Sequence, residues 1–92
     1  MSTRMSRPII ECARAQALFV SDLQPHELPG VDQVRATIAA VIRRHGVRGC
    51  LAKVAEEYGE HPETAVARMR WARETAERVY GPAAPRPVLA AA

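Results

Sequence analysis

The sequence predicts an all-α fold, a small bundle of about four helices, and three observations predict it. Apolar residues recur at three- and four-residue intervals in four separate stretches. Proline and glycine stand at positions that suit the starts and stops of those stretches. And 92 residues leave room for one small domain only.

The elements follow in order. Residues 1–7 are polar and are expected to fray. In "RPIIECARAQALFVSDL", Pro8 suits a first helical turn, where its missing N–H costs nothing. Ile10, Ala13, Ala17 and Val20 keep helical spacing and Leu18 widens the stripe, so a helix is expected over about 8–22. "QPHELPG" carries two prolines and a glycine and reads as a linker. Then Val31, Val34, Ile38, Val41, Ile42 and His45 form one stripe, closed by Gly46 as a left-handed C-terminal residue. Arg43 and Arg44 in that last turn suit the helix dipole. "VRGCLAKVAEEYGE" is the next helix, with Leu51, Val54, Ala55 and Tyr58 expected inward and Gly59 expected as its left-handed stop. The last helix opens on Pro62 and Glu63, turns Ala65, Met69, Ala72, Ala76 and Val79 inward, and ends at Gly81. Residues 8–81 thus make one helical domain. Residues 82–92, "PAAPRPVLAAA", have three prolines and no periodicity and read as a disordered tail.

Composition narrows the function classes. Much of the apolar content is alanine, and there are one Phe, one Trp and two Tyr. Such a core is thin, so packing against a second copy would stabilise it, and a homodimer is expected. The net charge of +3 permits a nucleic-acid partner without requiring one. Lys53 is the only lysine, and with the alanine content this points to a high-GC genome. No apolar run reaches the ~18 residues of a membrane span. Glu11 and Arg14 interrupt the one segment that could serve as a signal-peptide core. A cytoplasmic protein is expected, with Cys12 and Cys50 reduced and Cys50 buried.

The stretch Val54 to Ala72, "VAEEYGEHPETAVARMRWA", has the rhythm of a helix-turn-helix. Such a motif needs a small residue where the second helix crosses the first, and Ala55 holds that place. It needs a glycine four positions on, and Gly59 fits. "HPET" would open the second helix, with Ala65 and Met69 inward. On these residues, 54–69 resembles the helix-turn-helix of bacterial regulators, sigma-factor-like regions included, and places the motif at 48–80. The whole chain is also similar to small uncharacterised proteins of high-GC Gram-positive bacteria. Glu60, where the motif normally buries an apolar residue, departs from the pattern. So does Ala65, where a bulkier β-branched residue is usual. A plain αα-hairpin closing a bundle would give the same rhythm.

On a helical wheel of ~100° per residue, the last helix leaves Thr64, Ala67, Arg68, Trp71, Thr75 and Arg78 away from its core stripe. In a DNA reader, Thr64 and Arg68 would reach base edges or phosphates. From Gln33 to Ala55 there are five bases and no acid; from Thr64 to Arg73 there are three bases and no acid. Those bases could grip phosphates on either side of a groove. The set expected at DNA is therefore Arg43, Arg44, Arg48, His61, Thr64, Arg68, Arg70 and Trp71. Trp71 fits a protein hot spot better than a major groove, unless the first helix buries it. The four acids between Glu56 and Glu63 sit awkwardly beside a duplex. Arg70–Glu74, Arg73–Glu77 and Glu74–Arg78 are also spaced as intrahelical pairs that need no partner.

An enzyme is not expected. His26, His45 and His61 have no second ligand at metal spacing, and adjacent Glu56 and Glu57 point ~100° apart on a helix. There is no phosphate loop, nucleophile elbow or CxxC, so no cofactor or metal is expected. Two functions stay open: a dimeric helix-turn-helix DNA-binding regulator, or a helical module that docks a larger protein through its Trp71–Arg68 face. Convergence of Arg43, Arg44, Arg48 and Arg68 away from Glu56, Glu57 and Glu60 would favour DNA. Acids and bases mixed around Trp71 would favour the protein partner.

Overall fold

A computed structural model describes residues 7–81, with side chains described from Ile10 onward. Both expected end segments, residues 1–7 but for Arg7 and residues 82–92, lie outside it. The regular structure of the described residues is all helical: α1 (Arg7–Val20), a single 3-10 turn (Pro25–Glu27), α2 (Val31–Glu60) and α3 (Pro62–Tyr80), with no strand among the described residues. No helix there is long and apolar enough to cross a membrane.

α2 runs through both stretches that the sequence divides, but it is broken where expected. Gly46 has φ 75° and ψ 164°, a region that only glycine enters without strain. The helix therefore stops and restarts with one residue out of register. Close by, Gly49 lies against the Cβ of His45, where an added Cβ would come to 3.2 Å. Residues 31–45 and 47–60 meet at this elbow, and both bury residues in the same core: Val34 and Ile38 from one, Cys50 and Val54 from the other.

α1 is the central element. It packs on both α2 and α3, and its second half is buried almost all round, through Ala13, Ala15, Ala17, Leu18 and Phe19. The sequence assigned α1 one stripe; Ala15 and Phe19 lie off that stripe and are buried because the helix is covered on more than one side. It ends two residues earlier than the spacing suggests. The Ser21 hydroxyl donates to the Leu18 carbonyl at 2.7 Å and accepts from the Leu23 N–H at 3.2 Å, which offers the backbone an alternative to another helical turn. Leu23 and Pro29 are buried and pin the linker at both ends.

Three expectations are corrected at the α2–α3 junction. Gly59 is helical; the positive-φ glycines are Gly46 and Gly81. α2 continues to Glu60, and His61 alone separates it from α3, so proline at the head of α3, not glycine, fixes the turn. Leu51, Ala55 and Tyr58 face outward: Leu51 is 52% and Tyr58 37% exposed. The inward residues are Cys50 and Val54. A wheel centred one residue earlier than the sequence reading accounts for all five positions. Val31, expected on the inward stripe, is also exposed. On α3, Ala65, Met69, Ala72 and Val79 are buried as expected and Gly81, at φ 93°, ends the helix, while Ala76 is half-buried and Thr75, expected outward, is buried.

Candidate interaction site

α3 has two flanks beside its core stripe, and the structure treats them differently. The first carries Arg68, Trp71, Thr75 and Arg78, the residues expected to face outward. It is covered by the end of α1 and the linker that follows. The Arg68 guanidinium donates through Nε to the Phe19 carbonyl at 3.0 Å, and through Nη2 to Leu18 at 3.2 Å and Ser21 at 2.9 Å. Leu18 and Phe19 lie in the last turn of α1 and Ser21 just beyond it, where intrahelical donors run out; the Leu18 carbonyl also accepts from the Ser21 N–H and hydroxyl. Arg68 is thus a C-terminal cap delivered from another helix, its positive charge placed at the negative end of the α1 dipole. Burial pushes its pKa below the ordinary arginine value, and nearby Asp22 partly offsets the shift; an arginine stays charged regardless.

Arg68 also lies over the Trp71 ring, 4.5 Å from its centroid. Trp71 is half-buried and packs on the core. Thr75 is buried, and Arg78 reaches the Pro29 carbonyl at 3.4 Å. At the end of the helix, Arg14 from α1 and Arg35 from α2 lie over the Tyr80 ring at 3.8 and 5.3 Å. Arg68 is thus bonded to α1 and Trp71 is only partly exposed beside it.

The remaining residues expected at DNA are scattered. Arg43, Arg44 and Arg48 are exposed around the elbow. Among the described residues, none of the three is paired with a carboxylate. Arg70 is exposed on the other flank of α3, and Thr64 is exposed in its first turn. His61 lies between the helices, its Nε2 4.0 Å from Glu60 Oε1. Thr64 and Arg68 share a recess with Lys53, Glu56 and Glu57. Acids and bases are thus mixed around the Arg68–Trp71 pair, and Arg68 does not join the elbow arginines.

The second flank of α3 is open. Val66, Arg70, Arg73, Glu74 and Glu77 are all exposed along it. Together with Met69 and with Tyr58 of α2 they line one groove. On α2, Leu51, Ala55 and Tyr58 fall within a ~60° sector at ~100° per residue, next to the buried Cys50–Val54 line. The Tyr58 ring is backed by Phe19, with centroids 6.1 Å apart. The result is an apolar strip, Leu51–Ala55–Tyr58, continued by Val66 and bordered by charges. Scattered exposed apolar residues are ordinary, but a continuous strip at helical spacing is not. The sequence missed it because the spacing that marks a strip as apolar does not say what covers it.

Cys50 is a free thiol buried under this strip, and burial raises its pKa; Cys12 is free and exposed. Comparisons with protein-family models, with curated proteins and with solved structures found no match. The class reached is a small all-α domain, and its function rests on the geometry of these surfaces.

Proposed function

We propose that the protein is a helical protein-interaction module that docks a helix of another polypeptide on the open flank of α3, beside Leu51, Ala55, Tyr58 and Val66. One observation carries the reading: an apolar strip at helical spacing stays exposed although the core is complete without it. A partner helix laid in such a groove buries its own apolar face against the strip. We place docking there and not on the Trp71–Arg68 face, because Arg68 is bonded to the end of α1 and Trp71 is half-buried against the core. A photo-crosslinking amino acid at Leu51 or Val66 tests this in the cells that make the protein. Adducts are expected at both positions and not at exposed Ala36 of α2. Equal adducts at all three positions, or none, would count against a docking flank.

A second reading has its own support. Arg43, Arg44 and Arg48 lie exposed in a run without acids, which suits phosphate contacts. In this reading residues 48–80 act as a helix-turn-helix regulator on DNA. The single-residue turn and the exposed Ala55 speak against a recognition helix seated in the usual way. Binding to a random duplex would have to weaken steeply with salt and flatten its salt slope in Arg43→Ala and Arg44→Ala variants. An affinity indifferent to salt removes this reading.

A further inference from the structure

The charges on the open flank are ordered. Along α3 they run Arg70, Arg73, Glu74, Glu77: two bases, then two acids. Reflected about the midpoint between 73 and 74, every position meets its opposite. All four residues are exposed. Among the described residues none of them is in an ion pair, although Arg70–Glu74 and Arg73–Glu77 have the spacing for one.

We infer that the helix docked on this flank is α3 of a second copy of the chain, antiparallel, with a two-fold axis between positions 73 and 74; this rests on the docking reading above. A two-fold interface uses one surface twice, so that surface must complement itself. A strip whose charges invert about its centre does so. In this register Arg70 lies opposite Glu77 of the partner subunit and Arg73 opposite Glu74 of the partner subunit, and the same pairs repeat across the axis. Val66 then falls opposite Gly81 of the partner subunit, next to the partner's Tyr80. The apolar ends of the groove thus cover the last turn of the facing helix at both ends of the contact. A parallel arrangement would set like charges side by side. An unrelated partner would have to carry the inverse order, acids then bases, which this chain already carries when reversed. Solvated pairs of this kind add little affinity each; they set orientation and exclude wrong partners. Tyr58, Val66 and Met69, the apolar side chains that line the groove, supply the burial.

The test is a charge exchange read by light scattering coupled to size exclusion, at ~100 µM, above the micromolar range of a weak interface. Wild type is expected to run with a dimer's mass. Arg70→Glu/Arg73→Glu makes the strip wholly acidic, and Glu74→Arg/Glu77→Arg makes it wholly basic. Each variant alone is expected to be monomeric, and an equimolar mixture is expected to recover the dimer mass. Circular dichroism checks that both fold. The single exchanges Arg73→Glu and Glu74→Arg follow the same logic should a double variant not fold. A monomeric wild type, variants that still dimerise alone, or a mixture that stays monomeric would each overturn the inference. A monomeric wild type that still gives specific adducts at Leu51 and Val66 would leave the docking flank standing and remove only the second copy. Loss of adducts from Leu51 and Val66 alike would remove both.

Discussion

The two flanks of α3 are similar in composition and opposite in use. Each carries arginines and at least one large apolar side chain. On the covered flank, Arg68 and Arg78 end on backbone carbonyls of the α1 end and the linker, Thr75 is buried and Trp71 is half-buried against the core. On the open flank, Arg70 and Arg73 end in solvent beside Val66 and Tyr58. The difference is not residue type but what the preceding chain supplies. α1 ends in carbonyls that can accept from a side chain, and the flank that can reach them becomes structure. The other flank has no backbone to cap and remains available as surface.

The largest expected effect follows from the covered flank. Arg68→Ala removes three charge-assisted bonds to half-buried carbonyls and is expected to destabilise by about 3 kcal/mol. Chemical denaturation checks this; a loss below about 0.5 kcal/mol would mean that water caps α1 equally well. Next comes the elbow, which lays residues 47–60 beside the open flank. Gly46→Ala places a side chain in a conformation that only glycine accepts, and should cost about 1–3 kcal/mol. The same substitution at Gly59 should do the reverse. Gly59 is helical and an added Cβ meets nothing within 4 Å, so Gly59→Ala should stabilise by about 0.5–1 kcal/mol. A destabilisation there would restore the left-handed turn that the sequence suggested. The smallest effect belongs to the open flank. Arg73→Ala should change the unfolding free energy of the monomer by less than about 0.5 kcal/mol, measured at a concentration too low for association.

Much of the fold could be read from spacing. The stripes of α3, the break at Gly46, the stop at Gly81 and the burial of Cys50 were all readable, because each depends on local sequence and on backbone restrictions. The orientation of residues 47–60 was not. Leu51, Ala55 and Tyr58 make as good an apolar line as Cys50 and Val54, and only packing against α1 decides between them. The role of Arg68 was hidden for a related reason. A wheel shows which way a side chain leaves its own helix, but the carbonyls that Arg68 caps lie 47 to 50 residues away. The charge order Arg70–Arg73–Glu74–Glu77 was visible from the start as intrahelical pairs. Its symmetry gained meaning once that flank proved to be the exposed one.

Thiol labelling at matched positions on α3 tests the contrast between the flanks most directly. In a Cys12→Ser background, Thr75→Cys and Arg73→Cys place one new thiol on each flank, two residues apart, with Cys50 buried in both. At low protein concentration a maleimide should modify position 73 at the rate of an exposed thiol. Position 75 should react at least ~100-fold more slowly, because labelling there requires local opening. Comparable rates at the two positions would contradict a covered flank and, with it, the assignment of docking to the open one.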